Sequence, residues 1–338
     1  MRVAVTGAAG RVGRRLVQWF RDRDHSVVAL DREKVAGQEG VSSVVLDLSD
    51  GEGLVAATAG CDVIVHLAAA MTWNPKDSDV LWRANADGTW NIVKAAEANG
   101  ARRLVFASSG EVYPESKAKF LPVDEHHPTE PTSVYGMTKL VGETMVANLG
   151  RRSDVETVIV RLPHTQDAAE LLDPDSPFSG PRFFLQRRLE QQRALGNAAA
   201  VSALEGAGCA GELTLLVARG EDATPYRMPI CDARDTAEGL GLAATVVGIE
   251  GQVINVGPAE ATSMETFISE AARLTGLPQV AVNLPGPPVY YHTSIAKARE
   301  LLGYTPRWPM PDMLAEASEA RAHSGNSSSE EDRQRSQQ

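Results

Sequence analysis

Apolar residues in the first half of the chain come in two alternating textures, short unbroken runs and spaced, helix-like patterns. Arg2–Thr6, Ser26–Leu30, Val41–Leu46, Asp62–Leu67, Arg103–Ala107 and Val155–Leu162 are runs rich in β-branched residues. Apolar side chains at successive rather than alternate positions predict strands of a parallel sheet covered on both faces. Between them, Val12–Arg23, Leu54–Ala59, Asp79–Asn99 and Val134–Leu149 carry the spacing of amphipathic helices. This βαβα order predicts an α/β fold with a doubly wound parallel sheet over residues 1–165.

From Asp167 to Tyr226 the pattern changes to a Pro/Ser/Gly-rich loop (DPDSPFSGP), an arginine-bearing helical stretch (FFLQRRLEQQRALGN) and an apolar strand candidate, Leu213–Val217. Material inserted over one end of a sheet is where substrate selectivity resides, so residues 166–322 are read as a smaller C-terminal substrate-binding region. Within it Val253–Val256 reads as a return to the sheet, and Met264–Thr275 and Ile295–Leu302 read as helices. The last stretch, HSGNSSSEEDRQRSQQ, is polar and low in complexity, which predicts a disordered tail over 323–338.

Composition narrows the partners. With 33 Lys and Arg against 44 Asp and Glu, the net charge of −11 argues against nucleic acid or anionic membrane as a general electrostatic partner. Cys61, Cys209 and Cys231 form no CxxC pair, so neither a disulfide framework nor a structural metal site is expected. The chain opens directly on a strand and a glycine turn, and no apolar run is long enough to span a bilayer, so the expected setting is the cytoplasm.

Two constellations carry chemistry. TGAAGRVG places Gly7, Gly10 and Gly13 between a predicted strand and a predicted helix that opens at Arg11 and Val12. Glycines there let backbone approach a pyrophosphate, and the helix start offers it free N–H groups. Asp31 closes the second strand, 24 residues after Gly7. A carboxylate at that place accepts hydrogen bonds from ribose hydroxyls and repels a 2′-phosphate, which favours NAD over NADP, although the adjacent Arg32 softens the preference. Tyr135 and Lys139 form the second constellation, four residues apart on a predicted helix. An ammonium beside a phenol is expected to lower its pKa and equip it as a general acid or base. The strand ending Ala107-Ser108-Ser109 adds a hydroxyl for the same substrate oxygen.

Taken in order, TGAAGRVG, LDLSD, VIVHLAAA, NADGTWNIVKAA, FASSGEVYP, SVYGMTK and IAKARELLGYTPRW resemble the extended short-chain dehydrogenases/reductases. The resemblance is to their Rossmann-like, NAD-dependent sugar-nucleotide epimerase/dehydratase branch and covers roughly Met1 to Arg307. It implies that Asp47 and Leu48 contact adenine, and that Leu67, Ala68 and Ala69 run along the cofactor's ribose and diphosphate. It implies further cofactor contacts at Ala107 and Leu162, and at Lys139 on the nicotinamide ribose, with Ser109 and Tyr135 catalytic. It also implies a sugar substrate oxidised commonly at C4, and a homodimer formed through the helices of Asp79–Asn99 and Val134–Leu149.

The chain departs from the family pattern in two places. Ser109-Gly110-Glu111 stands where 4,6-dehydratases resemble Thr-Asp-Glu, so the acid of ordinary dehydration is missing at Gly110. Glu111 is either a second acid/base or a structural acid holding the loop. After the sixth strand, His164 occupies the place of an asparagine that holds a substrate diphosphate, and the Tyr-Gly-Pro turn is absent. His164 is a substrate contact or a loop hydrogen-bonder. Arg182, Arg187, Arg188 and Arg227 are candidate anion clamps, Arg227 the best placed, and Tyr290, Tyr291 and His292 are candidates to close the pocket. The first expectation is an NAD-dependent epimerase of a nucleotide sugar, sugar or uronic acid. The alternative is an NAD-dependent dehydrogenase of a free sugar or sugar acid. A non-catalytic NAD-binding regulator ranks below both because Ser109, Tyr135 and Lys139 are retained.

Overall fold

The computed structural model describes residues 1–72, 74–114, 116–208 and 213–335. In chain order the elements begin β1 (Arg2–Thr6), α1 (Arg11–Arg21), β2 (Ser26–Asp31), β3 (Val41–Val45), α2 (Gly51–Ala57) and β4 (Val63–His66). They continue α3 (Ser78–Leu81), α4 (Gly88–Ala98), β5 (Arg103–Ser109), α5 (Val134–Arg152), β6 (Glu156–Leu162) and β7 (His164–Gln166). Next are α6 (Ser179–Phe183), α7 (Leu185–Ala194), α8 (Ala198–Gly206), β8 (Leu215–Arg219), β9 (Arg227–Met228), β10 (Ile230–Asp232) and α9 (Ala233–Thr245). The chain closes with β11 (Val253–Asn255), β12 (Thr262–Ser263), α10 (Met264–Thr275), β13 (Gln279–Asn283), α11 (Ala296–Leu302) and α12 (Met310–Arg335).

Two compact units result. The first comprises residues 1–165, 233–259 and 292–307, and the second comprises 166–232, 260–291 and the chain from Trp308 onward. The sequence places one short return to the sheet near 253–256, whereas the first unit takes back α9, β11 and α11 together. The reason is packing. One face of the sheet needs helical cover, and α9 lies against α1, where Gly241 admits the Trp19 ring so closely that a Cβ would stand 2.5 Å from it.

The first unit is a seven-stranded parallel sheet of order β11-β6-β5-β4-β1-β2-β3. Successive residues of each inner strand enter different cores. Val3, Val5, Val63, Val65, Val105, Val158 and Val160 face α1, α9 and α11, while Ala4, Ile64, Leu104, Phe106 and Ile159 face α4 and α5. That two-sided burial is why the strands read as unbroken apolar runs. The strand order reverses between β1 and β4, so a crevice opens beyond their carboxyl ends, where open α/β sheets bind ligands.

The second unit is built around the parallel pair β8–β13. Leu215 and Val217 pack with Phe183, Phe184, Met228, Phe267, Ile268, Met313 and Leu314, while Leu216 and Ala218 pack with Leu185, Leu189, Leu204, Val282 and Leu284. The helix α12 begins in this core and continues to Arg335, through residues whose composition predicts a disordered tail. Once its first turns are packed, each added residue costs only propagation, and Glu, Gln and Arg are adequate helix formers. Residues 336–338 lie outside the described residues. Cys61 and Cys231 are buried and form no disulfide among the described residues, and Cys209 also lies outside the described residues. Among the described residues no helix is long and apolar enough to cross a membrane, and no cluster of His, Cys, Asp and Glu is placed to hold a metal ion.

Candidate active site

The glycine turn between β1 and α1 leaves no room for a Cβ at Gly7 or Gly13. Gly7 is left-handed at φ +72°, and a Cβ on it would stand 2.8 Å from the Ala68 nitrogen. A Cβ on Gly13 would stand 2.0 Å from the Gly7 carbonyl oxygen. Gly10 N–H closes the turn onto Gly7 O at 3.1 Å and starts α1 without a side-chain cap. α1 therefore starts at this turn with no side-chain cap, and a helix start of that kind is where a pyrophosphate binds. At the end of β2, Asp31 accepts Ala9 N–H at 2.9 Å and Glu33 N–H at 3.2 Å, which fixes the carboxylate against the glycine turn. Arg32 is exposed beside Asp47. Hydrogen bonds from Ser49 hold the Asp47 carboxyl below its ordinary range, aided by the field of Arg32. Leu48 packs on Gly88, the first residue of α4. The cradle therefore fits a dinucleotide.

Beyond β4, the chain is held by a directed relay that sequence reasoning missed. Thr6 Oγ1 accepts from both Leu67 N and Ala68 N at 3.1 Å, so its own proton goes to His66 Nδ1 at 2.8 Å. His66 then carries its proton on Nε2 and donates to Thr89 Oγ1 at 3.1 Å, and Thr89 donates to Asn85 O at 2.5 Å. Burial, helped by the charge of Lys139, drops the His66 pKa to about 3, so the ring is neutral throughout the working range. Ala69 lies exposed just past this anchor.

The predicted helix Asp79–Asn99 is interrupted. Between α3 and α4, Trp82–Asp87 form a π-helical turn, a device common at functional sites. The turn presents Asn85 inward. Its Oδ1 accepts Ala70 N–H at 2.8 Å, and its Nδ2 donates to Ala70 O at 3.0 Å and Thr138 Oγ1 at 3.1 Å. Thr138 stands between Tyr135 and Lys139, so Asn85 ties the segment after β4 to α5. The one sequence signal was the NADGTW run, since hydropathy alone continues straight through a π turn.

The structure brings Ser109, Glu111, Tyr135 and Lys139 together. Ser133 caps α5 by accepting Gly136 N–H at 2.9 Å. Tyr135 and Lys139 then fall on one buried helix face. Ser109, paired in register with Leu162 on β6, hydrogen-bonds the Tyr135 phenol. Lys139 Nζ donates to Ala107 O at 2.9 Å and lies 5.8 Å from the Tyr135 ring centre. Burial, partly offset by Glu143, lowers the Lys139 pKa to about 8. The expectation that this ammonium lowers the phenol pKa is not met in this arrangement. Burial raises the Tyr135 phenol above its ordinary value, the Glu111 carboxylate raises it further, and only the Ser109 hydrogen bond opposes them. Glu111 accepts the Ser133 hydroxyl at 2.6 Å, so its carboxylate braces the cap of α5 while standing in range of the phenol.

Behind Lys139, one turn along α5, lies a second group the sequence did not flag. Glu143 accepts Ser108 Oγ at 2.5 Å and a bidentate Arg161, Nε at 2.8 Å and Nη2 at 2.7 Å. Arg161 also donates to the Tyr113 hydroxyl at 2.6 Å, which donates to Asn255 Oδ1 at 2.9 Å. Burial works against the Arg161 charge, but the hydrogen bonds and field of Glu143 outweigh it and raise its pKa. The signal available in sequence was an acid four residues after Lys139 on an apolar helix. Burial pushes Tyr113 up to about 12, despite Arg161.

Of the substrate candidates, His164 begins β7 in the first unit and is partly buried. Arg182 ends in the short helix α6 and Arg227 begins β9, both in the second unit. Arg227 Nε reaches Ala261 O at 3.4 Å, and β9 pairs with β12. Arg187 is engaged by Asp175 and, at 3.1 Å, by Glu190, which removes it as a clamp. Tyr291 is buried, and Tyr290 is exposed.

A glycine cradle at the switch point of a parallel sheet, with serine, tyrosine and lysine converging beyond β5, defines a dinucleotide-dependent redox class of α/β protein. Residues 3–166 match the model of the NAD dependent epimerase/dehydratase family. A short-chain dehydrogenase/reductase superfamily protein from Agrobacterium tumefaciens, solved with bound NAD, superposes at a TM-score of 0.92 with 44% identity, covering 98% of this chain and all of that one. The chain belongs to this NAD-dependent epimerase/dehydratase family of short-chain dehydrogenases/reductases. It is 36% identical over 175 residues to an L-arabinose 1-dehydrogenase (NAD(P)(+)) of Haloferax volcanii and 31% identical over 166 residues to a uronate dehydrogenase of Pseudomonas syringae pv. tomato. Each match covers 48% of this chain, and the chain spans 66% and 58% of those two relatives.

Proposed function

We propose that this protein is an NAD-dependent dehydrogenase that oxidises a hydroxyl of a free sugar or sugar acid. The observation that carries the reading is the convergence of Ser109, Tyr135 and Lys139 beside a glycine cradle shaped for a dinucleotide. NAD, when bound, supplies the acceptor for the hydride of the carbinol carbon. Gly7, Gly10 and Gly13 admit its diphosphate, the start of α1 faces that charge, and Asp31 favours the unphosphorylated ribose. Ser109 orients the substrate oxygen, and Tyr135 takes its proton. Lys139, held on Ala107 O and 5.8 Å from the Tyr135 ring centre, is placed to bind the nicotinamide ribose beside the phenol. Asn85 ties the helix carrying Tyr135 and Lys139 to the segment after β4, and Glu143 ties it to β5. Net oxidation rather than epimerisation is supported by His164 in place of the diphosphate-holding asparagine and by the dehydrogenase relatives.

Epimerisation through a transient ketone is the second reading, favoured by the family that the first 166 residues match. Incubation with NAD and a panel of sugars, uronic acids and their nucleotide derivatives separates the two. Stoichiometric NADH with an oxidised product supports the dehydrogenase. Isomerised product without NADH accumulation would replace it by the epimerase. The assembly we propose is a homodimer, because Val80, Trp82, Trp90 and Met137 stand exposed on the adjoining helical elements around α4 and α5.

A further inference from the structure

The three arginines of α7 meet different fates. Arg187 pairs with Asp175 and Glu190, and Arg193 pairs with Glu205 at 2.7 Å. Arg188 has no carboxylate partner among the described residues. Its Nη1 donates to the neutral Gln191 Oε1 at 3.1 Å, while its Nε is sealed from solvent and makes no hydrogen bond. Burial therefore depresses the pKa of Arg188, and only the nearby Tyr226 phenol counters it. The same burial raises Tyr226, which Arg188 in turn opposes.

A partly buried guanidinium with one donor pair unused is costly in the folded chain, since a charge withdrawn from water is stabilised only by a partner. The unused edge is the one containing Nε, and the Nε/Nη2 edge is the fork that matches two oxygens of a carboxylate or phosphate. Gln191 holds the opposite side of the guanidinium, and Gln192, bound by Asn197 at 2.9 Å, supports Gln191 in turn at 3.4 Å. The group is thus fixed in place with its donor edge unspent.

We propose that Arg188, through its unused Nε edge, is the binding site in the second unit for an oxyanion carried by the substrate. The inference rests on the dehydrogenase reading above and narrows it to an acidic substrate, whose oxyanion is a carboxylate or a phosphate. A purely structural Arg188 would stabilise the ligand-free chain. A binding arginine burdens it instead, because the partner arrives with the ligand.

The test uses the full chain as wild type, Arg188→Gln and Arg188→Lys, with thermal unfolding followed in D-glucuronate, inorganic phosphate, D-glucose or NAD. Wild type is expected to gain stability from glucuronate or from phosphate, and little from glucose. Arg188→Gln weakens that anion's apparent binding by on the order of tenfold to a hundredfold, the span of a hydrogen bond to a charged group. Its ligand-free midpoint stays level or rises, its response to NAD is unchanged, and Arg188→Lys recovers part of the anion response. Glucuronate alone identifies a carboxylate, and phosphate alone identifies a phosphate. The proposal is overturned if neither anion stabilises wild type, if Arg188→Gln binds the anion as wild type does, or if both variants unfold well below wild type without ligand. Arg188-dependent anion binding without NADH formation from any sugar would remove the dehydrogenase reading and leave the site standing.

Discussion

At the scale of the residue, the site is governed by burial. Lys139 is almost wholly enclosed, and its pKa falls from 10.5 to about 8. The open chain therefore binds more protons than the fold between about pH 8 and 10.5, so the contribution of Lys139 to stability improves as pH rises through that window. Denaturant unfolding at the two ends should show a gain for wild type that Lys139→Met lacks. Equal pH dependence in both proteins would refute a depressed Lys139. Glu143 and Arg161 are a buried pair, and removing one charge strands the other. Glu143→Gln should cost about 3–5 kcal/mol in urea unfolding, and a loss under about 1 kcal/mol would show that the pair is not sealed from water. The geometry of the candidate site at this scale was legible in part. Tyr135 and Lys139 were readable from their spacing and Ser109 from its place at a strand end. Their protonation energetics were not, because desolvation depends on what surrounds a group rather than on its sequence neighbours.

At the scale of the element, hydropathy located every strand of the large sheet to within a residue or two, because two-sided burial writes itself into the sequence as continuous apolar runs. Other elements were hidden, three of them for plain physical reasons. The π turn at Trp82–Asp87 leaves no mark in a hydrophobic pattern, and it aims Asn85 at Thr138. The short strands β9 and β12 are too brief to show a period. The length of α12 was missed because propagation from a packed start needs no apolar face. The glycine turn, by contrast, was fully readable, and it carries a sharp expectation. In Gly13→Ala the new methyl would meet Gly7 O at 2.0 Å, so the turn must open. NADH binding, followed by fluorescence titration, should weaken by about tenfold or more. Unchanged affinity would mean that the cofactor does not sit on this turn.

At the scale of the whole molecule, the division into units follows from which helices the sheet requires as cover, and that was only partly visible in sequence. The jump of chain back to the first unit at Ala233 comes with no break in composition. Large exposed apolar side chains around α4 and α5 argue for association. Trp82 and Trp90 are each 43% exposed, more than an indole usually retains in an isolated protein. Sedimentation at micromolar concentration should show a dimer that Trp82→Glu shifts towards monomer, whereas a monodisperse wild-type monomer would remove the homodimer from the account.

The central claim is that Tyr135 moves the substrate proton in an NAD-dependent oxidation, and Tyr135→Phe tests it most directly. The hydroxyl is lost while the buried ring, the Lys139 contact to Ala107 and the glycine cradle remain. Turnover should fall by roughly a hundredfold to ten-thousandfold, with NAD affinity unchanged. Undiminished turnover in that variant would contradict the account, and so would turnover lost only because NAD no longer binds.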